Sequence, residues 1–385
     1  MTINDWDIVI NRHLDEPLHV QITKAIRAKI ESGEWKPGHQ LPSYNELVKL
    51  TKVSMITIQQ SVGSLIKEGT LSRKRGIGVF VPDGHQSHKE RIIGLLLPDV
   101  RHQFFSGLAH VIQTHANRQG YAITMYSLEA DPSRAYHVVD LALRQNVAGI
   151  ITSPTISEHF SFQFSGVLKR RIPIVFVDGK SSHEGFDYVE TNNRLGMELV
   201  LDHLTSLGHK RIGFACCQIL TQGVRERMQA FQELLAERGL DFSPPLLQVS
   251  HLPDDDGGEN AGYTLLSLRE PPTAIVCSND LAAVGVMRAA RKLDVECPGE
   301  LSVVGFDDLE LSSHLEIPLT TVRQPVNDIG QTAVDLLLAR LHGTGTAERE
   351  TRSLAPELII RSSTAACRSA LSHADSVASQ ALILP

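Results

Sequence analysis

PLHVQITKAIRAKIESGEWKPGHQLPSYNELVKLTKVSMITIQQSVGSLIKEGTLSRKRGIGVFV, residues 17 to 81, is the stretch whose reading decides the fold. Leu18, Ile22, Ala25, Ile26 and Ile30 recur at helical spacing, and Gly33 with Pro37-Gly38 ends this first helix. Ser43 is placed to cap a short second helix reaching Leu50, and the polar turn TKVS leads to Ser54, which can cap a third. Ile58, Val62, Leu65 and Ile66 form the core stripe of that third helix and leave Ile56, Thr57, Gln59, Gln60 and Ser64 facing outward. Two short helices joined by a tight turn, the second polar on its outer face, are what the major groove of DNA admits. Gly69 stops the helix, and TLSRKRGIGVFV reads as a two-stranded wing with Arg73, Lys74 and Arg75 beside a turn at Gly76. A basic ribbon tip of this kind is placed to neutralise phosphates or enter the minor groove.

The charge pattern supports that reading. The whole chain of 385 residues carries a net −7, yet residues 17 to 81 hold ten Lys/Arg against four Asp/Glu, a local +6 on an otherwise acidic protein. Such asymmetry is the footprint of a nucleic-acid-binding module on an acidic carrier. With 42% hydrophobic and 21% charged residues the composition is that of a folded protein rather than a disordered one. The polar N-terminus has no signal-peptide core, and no window nears the roughly 18 apolar residues of a membrane span, so a cytoplasmic protein is expected. Cys216, Cys217, Cys277, Cys297 and Cys367 are odd in number and form no CxxC pair. Buried thiols, without a disulfide framework, metal or cofactor, are expected.

From residue 92 apolar strand candidates alternate with helical segments: 92–98, 122–128, 147–153, 172–178, 211–217, 273–278 and 301–306. Near-continuous Val/Ile/Leu runs at this rhythm predict an α/β fold with parallel strands covered on both faces. Ligands bind such sheets outside the carboxyl ends of the strands, where Asp99, Asp178, Asn279-Asp280 and Asp307-Asp308 gather. Carboxylate, amide and guanidinium groups against an apolar floor are what a hydroxyl-rich ligand needs, since each buried hydroxyl must find a partner.

Both halves resemble known families. PGxxLPS, an EL helix, VS at the start of the third helix, LxxEG and RGxGxFV resemble the winged helix-turn-helix of the GntR family. That resemblance implies DNA contacts from Ser43, Tyr44, Asn45, Ser54, Met55, Ile56, Thr57, Gln59, Gln60, Arg73, Lys74, Arg75 and Gly76. Asn45 and Met55 stand where relatives often carry arginine. IGLLLPDVRHQFFSGL, LGHKRIGF, RERMQAF, CSNDLAAVGVMRA, VVGFDDLELSSHLEIPLTTVRQP and ELIIRSST are similar to the periplasmic-binding-protein-like effector domain of LacI/GalR repressors. Here the resemblance implies two subdomains, about 92–177 with 322–352 and about 178–321 with 353–363, exchanging chain near Asp178, Thr321 and Arg352. It also implies ligand contacts from Phe105, Arg194, Arg227 and Asp280, with Asp99, Thr152, Asp256 and Gln324 as lesser candidates. The loop after the first strand departs from the family's Asn-Pro-Phe-Phe turn, reading His102-Gln103-Phe104-Phe105.

These pieces assemble into an expected organisation: a winged helix-turn-helix over 1–81, a polar linker over 82–91, an effector domain over 92–363 and a small-residue-rich, poorly ordered tail over 364–385. The expected function is a ligand-responsive transcription regulator, a repressor that binds a near-palindromic double-stranded operator as a homodimer and changes affinity when a small sugar-like effector enters the cleft. A nucleobase or other metabolite acting as corepressor, or activation on the same scaffold, stays open as the alternative. An enzyme would need a motif such as GxSxG, GxxxxGK[ST], HExxH or a GxGxxG between strand and helix, and none occurs; Gly76-Ile77-Gly78 belongs to the wing.

Overall fold

The computed structural model describes residues 16–74, 76–82, 92–129, 131–153, 164–179, 186–217, 221–346 and 348–367. The chain divides into two compact units, Met1–Glu90 and Arg91–Pro385. Arg75, most of the expected linker and most of the expected tail lie outside the described residues.

In the first unit, α1 (Leu18–Glu31), α2 (Tyr44–Thr51) and α3 (Met55–Lys67) precede a hairpin of β1 (Ser72–Lys74) and β2 (Gly78–Phe80). Each helix contributes one apolar stripe to a shared core of Ile22, Ile26, Leu47, Ile58, Val62 and Leu65, closed by Trp35, Leu71 and Val79. Local chemistry sets the helix starts. Ser43 and Glu46 form a reciprocal capping box on α2, and the Ser54 hydroxyl accepts from the Thr57 N–H on α3.

The second unit holds two six-stranded sheets. The first is built from β3 (Ile92–Leu97), β4 (Ala122–Ser127), β5 (Gly149–Thr152), β6 (Ile174–Val177), β7 (Asp187–Thr191) and β13 (Thr351–Leu354), all parallel, in the order β13-β7-β6-β5-β3-β4. The second contains β8 (Ile212–Cys216), β9 (Leu247–Val249), β10 (Ala274–Cys277), β11 (Ser302–Asp307), β12 (Thr320–Arg323) and β14 (Glu357–Ile359), in the order β14-β12-β11-β10-β8-β9; only β14 runs antiparallel.

Alternation along the central strands explains why they are apolar throughout: Ile151, Val175 and Val177 face one core, while Ile150, Ile174 and Phe176 face another. The first sheet is covered on one face by α4 (Gln103–Arg118) and α11 (Val326–Leu341), and on the other by α5 (Ala135–Arg144) and α6 (Ser165–Arg170). The second sheet lies between α7 (Asn193–Ser206) with α8 (Gln222–Glu237) and α9 (Asp254–Leu266) with α10 (Asp280–Lys292). Helices α9 and α10 meet backbone to backbone: a Cβ on Gly285 would stand 2.0 Å from the Asp255 carbonyl, and one on Gly258 2.1 Å from that of Ala282.

The chain passes between sheets at 192, at 324–325 and at 355–356. The first passage corrects the sequence reading, because β7 still pairs with β6 and β13 in the first sheet, one strand beyond Asp178. Asp187–Thr191 lacks a continuous apolar run, since its leading carboxylate is buried against Arg340 through two 2.7 Å hydrogen bonds.

Candidate functional site

The outer face of α3 is exposed and mostly polar. Ile56 is 75% exposed, and Gln59, Gln60, Ser54 and Asn45 are exposed with it, so none of them is held by the core. An isoleucine left in water on a short helix is costly for solubility and is understandable where a partner covers it. Met55 and Thr57 sit deeper, and the Thr57 hydroxyl is engaged by Ser54 Oγ at 2.8 Å at the helix start. The wing is tied to α2 through Arg73, whose guanidinium stands 5.6 Å from the Tyr44 ring centroid. Gly76 takes φ +78° at the wing turn, a conformation that favours glycine. Gln40, absent from the expected set, donates to the Ile77 carbonyl at 3.0 Å and braces the tip, where Ile77 is 64% exposed.

In the second unit a cleft is lined from the first sheet's side by His102, Phe104, Phe105 and Asp178, and from the second's by Cys217, Thr221, Val224, Arg227, Pro253, Asp254, Asn279 and Asp307. Four helices begin on it, since His102, Thr221, Pro253 and Asn279 are the residues that precede α4, α8, α9 and α10. Each helix N-terminus contributes roughly half a positive charge. The carboxylates of Asp178, Asp254 and Asp307 stand among them.

Arg227 organises the floor. It is 3% exposed, lies 4.0 Å from the Phe306 ring centroid, and donates to Asn193 Oδ1 at 3.0 Å and to the Ser278 carbonyl at 2.8 Å. Asp307 at 3.6 Å and Asp178 at 3.7 Å share its remaining charge. Burial pushes the Asp178 carboxyl up to about 7, with Arg227 pulling the other way and Asp307 adding to the rise. Burial also raises Asp307, against the pull of Arg227 and His102. Both aspartates occupy positive φ, +59° at Asp178 and +120° at Asp307, so strain is stored in the cleft lining. Behind the floor a polar chain crosses between the subdomains: Thr191 donates to Gln324 Oε1, and Gln324 Nε2 donates to Asp307 at 2.7 Å.

Of the residues expected to touch ligand, Phe105 and Arg227 line the cleft. Gln324 stands one bond behind it, holding Asp307. Asp280 is fully buried and braces the fold, accepting from the Leu309 N–H at 2.7 Å and from the hydroxyls of Ser312 and Thr321; α10 is capped by Asn279 instead. Burial raises the Asp280 carboxyl to about 7. Arg194 is spent on Glu198, Glu233 and Glu237 outside the cleft, and Asp256 lies exposed beside Arg288. Asp99 is clamped by Arg101, and the buried Thr152 bonds to the Ser153 carbonyl at 3.3 Å. Sequence reasoning left out His102, Asp178, Thr221, Asp254, Asn279 and Asp307, several of which stand at the strand ends it had marked as polar.

Comparison with known proteins matches both units to known domains. Residues 18–81 match the gntR family of bacterial regulatory proteins, and residues 201–364 match a periplasmic binding protein-like domain. The chain is 33% identical over 316 residues to the HTH-type transcriptional regulator MalR of Streptomyces coelicolor, covering 79% of this chain and 89% of MalR. It is 27% identical over 358 residues to the arabinose metabolism transcriptional repressor of Geobacillus stearothermophilus, which spans 90% of this chain and 98% of that protein. Among solved structures, the lac repressor dimer bound to operator and an anti-inducer superimposes with a TM-score of 0.66 at 25% identity, over 74% of this chain and 96% of that one. A LacI family regulator from Enterococcus faecium with bound ribose gives 0.62 at 26% identity, over 71% and 99%. With a winged reader of DNA at one end and a two-subdomain sensor at the other, this chain belongs to the LacI/GalR-type transcriptional repressors, carrying a gntR-family DNA-binding domain.

Proposed function

We propose that the protein is an effector-controlled repressor that holds two operator half-sites as a homodimer and alters its grip when a small hydroxyl-rich molecule enters the cleft around Arg227. One observation carries the effector reading: polar side chains from both subdomains and four helix starts converge on a single cleft, and Gln324 joins its floor to Thr191 across the chain crossings. A ligand that bonds differently to the two sides in open and closed forms shifts their balance by that difference and no more. The ribose bound to the Enterococcus regulator and the arabinose role of the Geobacillus repressor support a sugar-like effector.

Pairing into a dimer is supported by the sheet edges. Strands β4 and β9 are outer strands, and Met125, Val249 and Leu252 are exposed on or next to them, an edge that proteins ordinarily cover. A two-fold dimer reads a near-palindrome whose half-sites are about 10 bp apart or a multiple of that. The test is selection of operator DNA by the purified full-length protein, followed by anisotropy titration with and without sugars, nucleobases and nucleosides, with sedimentation to count subunits. The expected result is a dimer on a palindromic site whose affinity changes with one class of small molecule. A monomer on an asymmetric site, or DNA affinity indifferent to every compound that stabilises the protein, would overturn the reading.

A further inference from the structure

We infer that Ile77 is a specificity-determining residue of the DNA reader: a wedge held at the wing tip that enters the minor groove, selects an A·T step there and bends the duplex. The inference rests on operator binding by the first unit and adds a base choice made without a hydrogen bond.

The other apolar side chains along the ribbon have places in the fold. Leu71, Val79 and Val81 turn into the core, and Phe80 lies with its ring centroid 5.1 Å from Lys74 Nζ. Ile77 is 64% exposed between two glycines, Gly76 at φ +78° and Gly78 at φ +146°, so no side chain flanks it in sequence. Its backbone is nonetheless fixed on both sides. The Ile77 N–H donates to the Lys74 carbonyl at 3.1 Å, and the Ile77 carbonyl accepts from Gln40 Nε2 at 3.0 Å. A Cβ on Gly78 would stand 2.8 Å from that same nitrogen, so Gln40 fits against bare backbone. A frame fixed before contact leaves less freedom to lose on binding.

The surroundings name the occupant. Arg73 and Lys74 are exposed on the adjoining strand, in a stretch that is basic throughout 17–81, which favours a polyanion over another protein face. Isoleucine has no donor for a phosphate or a base edge; it offers branched apolar bulk on a narrow ribbon tip. The minor groove is about 6 Å wide, and along its floor G·C pairs carry the guanine amino group that A·T pairs lack. Pressing Ile77 against that amino group would strip a donor of water and give it no acceptor, so A·T is chosen by exclusion. Apolar wedges of this kind part a base step and bend the duplex toward the major groove, most cheaply at a pyrimidine–purine step such as TpA.

The test is parallel selection of DNA from a random pool by the full-length protein and by its Ile77→Ser variant, with energy transfer between end labels to measure bending. The expected wild-type sites hold a TpA step about half a turn, ~5 bp, from the bases facing α3, with a bend of roughly 20° or more. Ile77→Ser should lose that step and most of the bend while keeping the rest of the site. Replacing the step by G·C pairs should weaken wild type about tenfold and Ile77→Ser less than about twofold. Inosine·cytosine pairs, which lack the amino group but keep the major-groove face of G·C, should restore wild-type binding. Ile77→Leu should keep the preference, and Gln40→Ala, which frees the tip, should lower the ratio of A·T to G·C affinity with Ile77 intact. Identical selected sites, inosine·cytosine pairs bound as poorly as G·C, or a uniform loss of affinity that leaves the ratio unchanged each overturns the wedge while α3 remains the reader. A changed subunit number on sedimentation with an unchanged DNA ratio assigns the tip to a protein partner and overturns it too. If neither protein selects any sequence, operator binding fails and this inference with it.

Discussion

Arg227 stands 3.7 Å from Asp178 and 3.6 Å from Asp307, both buried, so its removal should be felt beyond ligand binding. Arg227→Leu should cost about 3–5 kcal/mol, because Asp178 and Asp307 are left buried without it; thermal or urea unfolding measures this, and effector response should vanish as well. Arg194→Ala is the contrast. Its partners are half-exposed, so the loss should stay within about 1 kcal/mol and effector binding should be unchanged. The sequence marked both Arg227 and Arg194 for the cleft; Arg227 lines it and Arg194 does not, and the reason is angular. Asn193 touches Arg227, and one residue further along α7 turns the side chain about 100° away, onto Glu233 and Glu237. Asp254 and Asp256 are separated on α9 in the same way. Asp178 gives a pH prediction. Its carboxyl, raised to about 7 from an ordinary 3.8, binds a proton in the folded state where the unfolded chain does not, so its contribution to stability is present at low pH and is lost as pH rises toward 7. Asp178→Asn should therefore gain in melting temperature relative to wild type on going from about pH 5 to about pH 8. A constant difference across that range would refute the assignment.

At the scale of elements, the helices of the DNA reader were the most legible part, because their starts are written locally. Ser43, Ser54 and the apolar stripes need no distant partner to be recognised. Ser54→Ala should destabilise this unit by about 1 kcal/mol through loss of the cap. Ile56→Ala should leave its stability within about 0.5 kcal/mol, the side chain being exposed, while weakening operator binding; unfolding and anisotropy measurements separate the two effects. The apolar central strands were legible for the same reason. Strands β7, β12, β13 and β14 were not, since Asp187, Thr320, Thr321 and Arg323 are accommodated only by tertiary partners that sequence spacing does not reveal. The near contact of α9 with α10 was likewise invisible. Gly285→Ala should force those helices apart at about 1–3 kcal/mol and disturb both helix starts on the cleft.

For the whole molecule, the basic stretch 17–81 on an acidic chain predicts steep salt dependence: DNA affinity should fall by orders of magnitude between about 50 and 200 mM salt if the wing and helices contact several phosphates. A flat response would remove phosphate contacts from the account. The order in which the chain builds its sheets has a further consequence. β12 belongs to one sheet, α11 and β13 to the other, and β14 to the first of these again, so neither half of the sensor is a continuous segment. Cutting anywhere between about 192 and 355 would leave both halves incomplete, whereas a single cut near residue 90 leaves two whole units. The sensor can therefore be inherited or transplanted only intact, while the DNA reader is exchangeable at one joint; a protein so divided can acquire a new set of target genes without relearning its ligand.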